Sequence, residues 1–197
     1  EVLGAINHAE ILPNGVIRVF FQDPTIIRLN FKLPLEEGRE VSTSYVDLGS
    51  QHVVIFFEEL KKSGNSSIEE FDIAKYGSLL RWHPEFTPLG ANANFIEVRE
   101  DGEEPYLRIR TFERGVEGET LACGTGCMSA AIVARMTGRI TKTPIRLLTQ
   151  SGEFVTVNFT IEGTQVSNLS LEGPVVAGEV GTLSFDEETK QFDVEYL

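Results

Sequence analysis

The amino-acid sequence predicts an α+β fold, and three observations lead to that prediction. Short alternating or apolar segments, bounded by turn residues, fill the first 31 residues and nearly all of the chain after Gly138. Residues 127–136 are mostly small or apolar, which is typical of a helix buried around most of its circumference. A second helical pattern lies between these regions, at residues 68–80.

Composition limits the class of partner. The 197 residues can bury a full core, as one large or two small domains. An apolar content of 41% with 24% charged residues is ordinary for a globular protein. Binding to nucleic acid needs clustered Lys and Arg, which a net charge of −13 disfavours. No run reaches the roughly 18 apolar residues of a membrane span. We therefore expect neither a nucleic-acid nor a membrane partner.

The elements before the central region follow from local patterns. Asn14-Gly15 between the segments 9–12 and 16–21 predicts a β-hairpin. Residues 36–44 are charged and contain glycine, which predicts a connector between lobes. Residues 45–57 predict a strand, a polar turn and a continuous apolar strand suited to a buried position. His52 lies at that turn, either as a capped structural histidine or as part of a site.

Residues 68–80 are predicted to be helical, with Ser66-Ser67 as the N-cap and two glutamates in the first turn. An alternating segment at 106–112 predicts a strand that delivers Glu113 and Arg114 to a site. Gly138 is a plausible C-cap for the second helix. The remaining predicted strands, separated by glycine-containing or charged turns, are 144–148, 154–161, 165–171, 180–185 and 191–197.

Cys123 lies between Ala122 and the glycine turn 124–126, directly before the apolar helix. The free N–H groups and positive dipole end of a helix N-terminus favour a carboxylate and lower the pKa of a neighbouring thiol. A lone cysteine before a glycine turn is more often a small buried hydrophobe. Charged and hydroxyl residues at 113–114 and 119–120 favour a site, with Cys123 as a nucleophile or a proton-transfer base.

The second cysteine, Cys127, follows four residues later, and a structural disulfide between the two is not expected. Cytosolic thiols are the simpler interpretation, with Cys127 as a small buried side chain. No Cys/His cluster has the spacing of a zinc site, so no metal ligand is predicted.

The segment ERGVEGETLACGTG, residues 113–126, resembles the second catalytic-cysteine motif of diaminopimelate epimerases. These are cofactor-independent enzymes of lysine and peptidoglycan precursor synthesis, so the resemblance implies no cofactor. Proline racemases and the phenazine-biosynthesis isomerase lack this combination of Glu-Arg-Gly, Glu-Thr and Ala-Cys-Gly-Thr-Gly. One departure is that residues 116–118 hold one residue more than the commonest form of the loop.

The resemblance also implies roles for single residues. Cys123 matches one of two catalytic cysteines, and His52 matches the histidine of the family's Met-Gly-Asn-Pro-His. Asn92 matches the first asparagine of Thr-Asn-Val-Asn-Phe, and in the family that asparagine hydrogen-bonds the substrate. Without the resemblance, Asn92 would be interpreted as a turn residue. Ser50 and Gln51 replace the usual Asn-Pro, which changes the contact with the distal end of the substrate.

Inverting an α-carbon without a cofactor needs a base on one face and an acid on the other. In the family these are two cysteines, one from each lobe, and here Cys123 would be one of them. We hypothesise that His52 and Glu113 orient and tune Cys123. Arg114 and the N–H groups of Gly124 and Thr125 would hold the surroundings of the substrate's α-carboxylate or ammonium group, where negative charge develops in the transition state. Glu113 is also expected to bind the substrate.

The resemblance implies two similar αβ lobes, each a set of curled, mostly antiparallel strands around a central helix, with the active site between them. Residues 33–178 are expected to form one whole lobe. Residues 1–32 and 179–197 are expected to belong to the other, N-terminal lobe, whose own cysteine motif is absent from this sequence. The start at Glu1 therefore predicts a fragment, and a polypeptide that truly began there should fail to invert its substrate.

The resemblance thus implies an isomerase that epimerises LL-diaminopimelate to meso-diaminopimelate, as a cytoplasmic homodimer. Two alternatives remain. A related racemase or isomerase of another small amino acid would keep Cys123 and alter the distal contacts, which Ser50 could support. A non-catalytic lobe used for binding or assembly would tolerate replacement of Cys123.

Overall fold

The computed structural model of the chain describes residues 8–35, 38, 40–61, 67–175, 178 and 180–196. Its helices are α1 (Ile73–Arg81) and α2 (Gly124–Met136), with 3-10 turns at Phe57–Glu59 and Pro84–Phe86. Its strands are β1 (Ala9–Ile11), β2 (Ile17–Phe20), β3 (Ile26–Pro34), β4 (Glu40–Asp47), β5 (Gln51–Phe56), β6 (Asn92–Arg99), β7 (Tyr106–Glu113), β8 (Gly118–Thr120), β9 (Ile145–Leu148), β10 (Phe154–Glu162), β11 (Gln165–Gly173), β12 (Gly181–Asp186) and β13 (Gln191–Tyr196). The predicted α+β class is confirmed, as are the N-terminal hairpin and the strands after α2.

Eleven strands form one sheet in the order β1-β2-β11-β10-β9-β7-β6-β5-β4-β3, with β8 paired to β7. Strands β5 and β6 pair in parallel, as do β7 and β9, and the other pairings are antiparallel. Strands β12 and β13 form a separate hairpin. Residues 9–34 therefore share a sheet with the central strands. The assignment of residues 1–32 and 179–197 to another lobe stays a prediction.

Helix α2 is the centre of this fold, as its sequence predicts. It contacts β4, β5, β6, β7, β9, β10 and β11, and every residue from Gly126 to Ala134 is buried. Small side chains in this helix allow strands to approach on several sides. Gly138 adopts a left-handed φ of 76° just past the C-cap residue Thr137, which confirms its predicted role at the helix end.

Both faces of the central strands are covered, which explains their continuous apolar sequence. In β5, Val54 and Phe56 pack in the apolar cluster around α2. The alternate residues Val53 and Ile55 pack in a second cluster that contains residues of α1. Because side chains alternate across a strand, a strand buried on both faces needs apolar residues at nearly every position.

The predicted start of the first helix was wrong. Helix α1 begins after Asp72, whose side chain accepts a hydrogen bond from the backbone N–H of Lys75 at 3.1 Å. The carbonyls of Ile68, Glu69 and Phe71 accept hydrogen bonds from the buried Arg110 at 2.8–3.1 Å. These carbonyls accept hydrogen bonds from Arg110 rather than from the N–H groups of a first helical turn, so the helix begins later than predicted. The predicted N-cap residue Ser66 lies outside the described residues.

The predicted connector at residues 36–44 was also wrong over its second part. Residues 40–44 belong to β4, which pairs antiparallel with β3 from Pro34↔Glu40 to Ile26↔Asp47. The charged side chain there, that of Glu40, lies at an exposed position of the strand. Residues 36, 37 and 39 are outside the described part of the chain. Among the described helices, none combines the length and apolar character that a membrane span requires.

Candidate active site at the N-terminus of the central helix

Cys123 is the N-cap residue of α2 and has extended backbone angles, with φ −133° and ψ 109°. Its carbonyl accepts the first helical hydrogen bond, from Cys127 N at 2.9 Å. Its half-buried thiol Sγ lies 3.6 Å from Thr125 Oγ1, and the N–H groups of Thr125 and Gly126 also donate towards it. The predicted location of Cys123, at a glycine turn that starts a buried helix, is therefore what the structure shows.

The prediction that this setting lowers the thiol pKa was wrong. Burial raises the pKa of Cys123 above its ordinary value, and the negative charge of Glu113 adds to the rise. The hydroxyl of Thr125 and the two backbone N–H groups act in the opposite direction but do not outweigh desolvation. Cys123 therefore keeps its proton at neutral pH.

Cys127 is a free thiol, like Cys123, and is buried under the sheet. Burial raises its pKa to about 12. The interpretation of Cys127 as a small buried side chain is confirmed. Within the described residues, no group of three His, Cys, Asp or Glu side chains is placed to hold a metal ion.

His52 lies at the start of β5 and has no exposed surface. Its Nε2 is 2.9 Å from Thr125 Oγ1, and its Nδ1 is 3.1 Å from Asn94 Nδ2. Burial lowers the pKa of His52 to about 3, and the nearby guanidinium of Arg114 acts in the same direction. A neutral imidazole therefore contacts the thiol through one intervening hydroxyl.

Asn94 continues this hydrogen-bonded chain into the sheet. Its Nδ2 donates to Val53 O at 3.0 Å, and its Oδ1 accepts from Thr111 Oγ1 at 3.0 Å. We call the five side chains Thr111, Asn94, His52, Thr125 and Cys123 the thiol network.

Gly126 is the point where α2 and β6 come closest beside the thiol. A Cβ placed there would lie 2.5 Å from Asn94 Oδ1 and 3.3 Å from Cys123 Sγ. Only glycine fits this approach without displacing the network. At Gly124 an added Cβ would meet Leu171 Cδ2 at 3.1 Å, a milder conflict.

Asn92 is almost fully buried, and its amide joins three segments of the site. Its Oδ1 accepts from Arg114 N at 2.8 Å. Its Nδ2 donates to Ser50 Oγ at 3.1 Å and to Gln51 O at 2.9 Å. Both Nδ2 hydrogens are therefore committed inside the protein, and Asn92 ties the turn before β5 to the segment after β7.

The segment from Glu113 to Gly118, which we call the arginine loop, leaves the end of β7 beside the thiol. The guanidinium of Arg114 donates to Gln51 Oε1 at 2.7 Å, and Gln51 Nε2 donates to Asp47 Oδ2 at 3.2 Å. The residue that replaces the family's usual proline thus holds the predicted carboxylate-binding arginine. Glu113 lies close enough to Cys123 for its charge to act on the thiol pKa.

The arginine loop is also fastened at its far end. Glu117 has a left-handed φ of 56°, and its Oε1 accepts from Arg81 Nε at 3.0 Å and from Gly115 N at 3.2 Å. The segment with one residue more than usual is therefore anchored on helix α1.

The structure brings together all the predicted site residues: Cys123, His52, Glu113, Asn92, Arg114, Gly124 and Thr125. Sequence analysis missed Asn94 and Gln51. Asn94 had a usable signal, because it is two residues after Asn92 and so lies on the same face of β6. Gln51 had been noted only as a departure from the family pattern.

The diaminopimelate epimerase family model matches residues 44–177, which is more than half of the chain. The chain belongs to this family. Diaminopimelate epimerase of Aquifex aeolicus is 37% identical over 161 residues, covering 81% of this chain and 53% of the relative. The relative from Hydrogenobaculum sp. is 39% identical over 186 residues, covering 94% and 62%, and that from Chlorobaculum tepidum is 36% identical over 176 residues, covering 89% and 61%. The chain thus spans about half to three-fifths of the length of these curated relatives.

Solved structures with a similar fold come from other isomerases as well. A hydroxyproline epimerase from Agrobacterium vitis superimposes with a TM-score of 0.63 at 15% identity, covering 85% of this chain and 52% of that one. A probable proline racemase from Agrobacterium radiobacter K84 gives 0.60 at 13% identity, covering 81% and 50%. At these identities the likeness shows the fold, and it confirms the predicted epimerase-like architecture of the family.

Proposed function

We propose that this chain provides one of the two catalytic thiols in the cofactor-independent epimerisation of LL-diaminopimelate to meso-diaminopimelate. The observation that carries the proposal is the half-buried Cys123 thiol at the N-terminus of the buried helix α2, in a chain of the diaminopimelate epimerase family. Membership of this family supports a cytoplasmic homodimer in lysine biosynthesis as the wider setting.

In this reaction one thiolate removes the α-proton, the electron pair of the broken C–H bond stays on the α-carbon, and a thiol on the opposite face returns a proton. Burial leaves Cys123 protonated at neutral pH, so the resting protein is set for Cys123 to donate. The base in that direction is the thiolate of a second cysteine, on the other lobe. The reverse direction exchanges the two roles.

The other site residues act on the substrate or on the thiol. Arg114 and the N–H groups of Gly124 and Thr125 bind the α-carboxylate, where a carbanion-like transition state gathers negative charge, and the Thr125 N–H is shared with the Cys123 sulfur. Asn92 adds a contact through the free lone pair of its Oδ1. Glu113 binds the α-ammonium group and acts on the Cys123 pKa. His52 orients Cys123 through Thr125.

The test is mass-detected uptake of α-deuterium into LL- and meso-diaminopimelate in D₂O, by the complete polypeptide that contains this chain. Cys123→Ser should abolish interconversion of the two epimers and α-deuterium uptake into the epimer whose α-hydrogen faces Cys123, whereas Cys127→Ala, one turn further along α2, should preserve both. Interconversion of the two epimers that survives Cys123→Ser would overturn the role of Cys123. No uptake from a folded, complete polypeptide would reject diaminopimelate as the substrate.

A second candidate is an epimerase of the same mechanism that acts on a different small amino acid. It is favoured by one observation, the replacement of Asn-Pro by Ser50 and Gln51, whose side chains are bonded to Asn92 and Arg114. Deuterium uptake across a panel of free amino acids separates the two. Uptake that is confined to substrates without a distal amino-acid group would favour this candidate.

A further inference from the structure

The direction of the hydrogen bonds in the thiol network determines what His52 can do for Cys123. We infer that Asn94 is a positioning residue that fixes His52 in its Nε2–H tautomer, which leaves the Thr125 hydroxyl free to donate its hydrogen to the Cys123 sulfur. The inference rests on the proposed role of Cys123 as a proton-transfer group.

The first step is the orientation of the Asn94 amide. Its nitrogen faces Val53 O at 3.0 Å, and a carbonyl oxygen can only accept a hydrogen bond. In the flipped orientation two oxygens would face each other at that distance without a hydrogen between them. The amide oxygen therefore faces Thr111 Oγ1, which donates to it at 3.0 Å. The second N–H of Asn94 is then directed at His52.

The second step is the tautomer of His52. Its Nδ1 accepts from Asn94 Nδ2 at 3.1 Å and so carries no proton. Burial keeps the imidazole neutral, with its pKa lowered to about 3. A neutral imidazole with an accepting Nδ1 carries its hydrogen on Nε2. That hydrogen is donated to Thr125 Oγ1, 2.9 Å away.

The third step is the Thr125 hydroxyl. Because its oxygen already accepts from His52, its own hydrogen is available for Cys123 Sγ at 3.6 Å. This contact favours the thiolate and opposes the effect of burial on the thiol. Glu113 and Cys127 are the other titratable groups near this thiol, and Arg114 is the cation that acts on His52.

The network cannot easily adopt another arrangement. Asn94 and His52 have no exposed surface. A Cβ on Gly126 would lie 2.5 Å from Asn94 Oδ1, so the helix and the amide are in close contact. Reversing the His52 tautomer would place two N–H groups opposite each other, at Nδ1 and Asn94 Nδ2. It would also turn the Thr125 hydroxyl hydrogen away from sulfur and towards Nε2.

The experiment measures the pH dependence of iodoacetamide alkylation at Cys123 in the complete polypeptide, with fragment-ion mass spectrometry to separate Cys123 from Cys127. Thr125→Val removes the hydroxyl and keeps the shape, whereas Thr125→Ser keeps the hydroxyl. Ser129→Ala is the matched control, because this buried hydroxyl on the same helix donates to Thr125 O rather than to the network.

Thr125→Val should move the midpoint of the alkylation profile upward by about one pH unit, as expected for the loss of one hydrogen bond to a charged group. Below the midpoint the rate should fall only about threefold, because a more basic thiolate is intrinsically more reactive. Thr125→Ser and Ser129→Ala should keep the parent profile. An unchanged midpoint in Thr125→Val would overturn the donation from Thr125 to sulfur.

The tautomer is tested separately by ¹⁵N NMR of the histidine rings. His52 should stay neutral with its hydrogen on Nε2 from pH 5 to 8, and Asn94→Leu should remove this preference. A hydrogen on Nδ1 in the parent protein would overturn the role of Asn94. Neither readout needs a substrate, so both stand if diaminopimelate is rejected by the exchange assay.

Discussion

The thiol network and the arginine loop meet at the end of β7, which contains Thr111 of the network and Glu113 of the loop. The two regions nevertheless differ in how they are built. The network takes its members from β5, β6, β7 and the start of α2, and His52 and Asn94 are fully buried. The arginine loop is partly exposed and turns through left-handed residues at Gly115 and Glu117. It is held by Gln51 at one end and by Arg81 at the other.

This difference separates two tasks within one site. Side chains on regular, buried elements hold a reacting group to a small tolerance. Side chains on a surface loop contact whatever enters the site and vary more freely between relatives. We therefore expect substitutions in the network to change the chemistry of the thiol, and substitutions around the loop to change substrate binding.

The largest expected effect is on stability, from Arg110→Ala in the strand β7 that underlies both regions. Arg110 is 7% exposed, pairs with both carboxylate oxygens of Glu119 at 2.6 Å, and donates to three backbone carbonyls. Removing one partner of such a pair costs about 3–5 kcal/mol. Urea unfolding measures this loss.

The control for that change is Arg99→Ala on the neighbouring strand β6. Arg99 is 31% exposed and pairs with Glu69 and Glu97 near the surface. Pairs that are open to solvent contribute about 0–1 kcal/mol. Equal losses in the two variants would contradict the distinction between a buried and a surface arginine.

Two glycines compare the regions directly. Gly126→Ala forces a Cβ against Asn94 Oδ1 and the Cys123 side chain, whereas Gly118→Ala meets no atom within 4 Å. We expect the first change to slow α-proton exchange by about 100-fold, because a small displacement of a reacting group has that effect. The second should stay within a few-fold of the parent. Similar rates for both variants would show that the network tolerates displacement.

The buried imidazole should make stability depend on pH. His52 has a pKa of about 3 when folded, below its ordinary value of 6.5, so the unfolded chain binds a proton that the folded chain does not. The contribution is fully present above pH 6.5 and is lost as the pH falls towards 3, at about 1.4 kcal/mol per pH unit. Unfolding free energies of the parent and His52→Gln between pH 4.5 and 8 measure it. Parallel curves for the two proteins would rule the contribution out.

The smallest expected effect is on substrate affinity, from Gln51→Ala beside the arginine loop. Losing the Gln51 Oε1 contact leaves Arg114 free to adopt other rotamers, and binding has to restore one of them. We expect KM to rise about fivefold with kcat nearly unchanged, a loss of about 1 kcal/mol. Gln165→Ala, on the exposed end of β11, is the control. A fall in kcat alone would place Gln51 with the thiol network instead.

Much of the fold was predictable because its signals are local. Short local patterns predict three of its elements: the Asn14-Gly15 turn, the apolar strand β5 and the helix α2 with its small residues. The start of α1 was not predictable in this way. The carbonyls just before α1 accept hydrogen bonds from Arg110 instead of from helical N–H groups. Arg110 lies about forty residues later in the chain, so a local pattern does not show this contact.

The site, like the fold, has features that local sequence predicts and features that depend on distant residues. The motif at 113–126 located Cys123, Glu113 and Arg114, because one short segment carries all three. The thiol pKa was predicted in the wrong direction, because a helix N-terminus is visible in sequence and the desolvation of the thiol is not. Asn94 was missed for a related reason, since its role depends on which atoms of β5 and β7 face its amide.

The pairing of β2 with β11 has a consequence for how the chain folds. Ile17 in β2 pairs with Gly173 in β11, so this pairing forms only when both segments, 156 residues apart in sequence, have been synthesised. Contacts between such distant residues carry a loop-closure cost and slow folding. Ribosomes add about 5–20 residues per second, so β11 is synthesised on the order of ten seconds after β2. During that interval β2 lacks the partner strand β11.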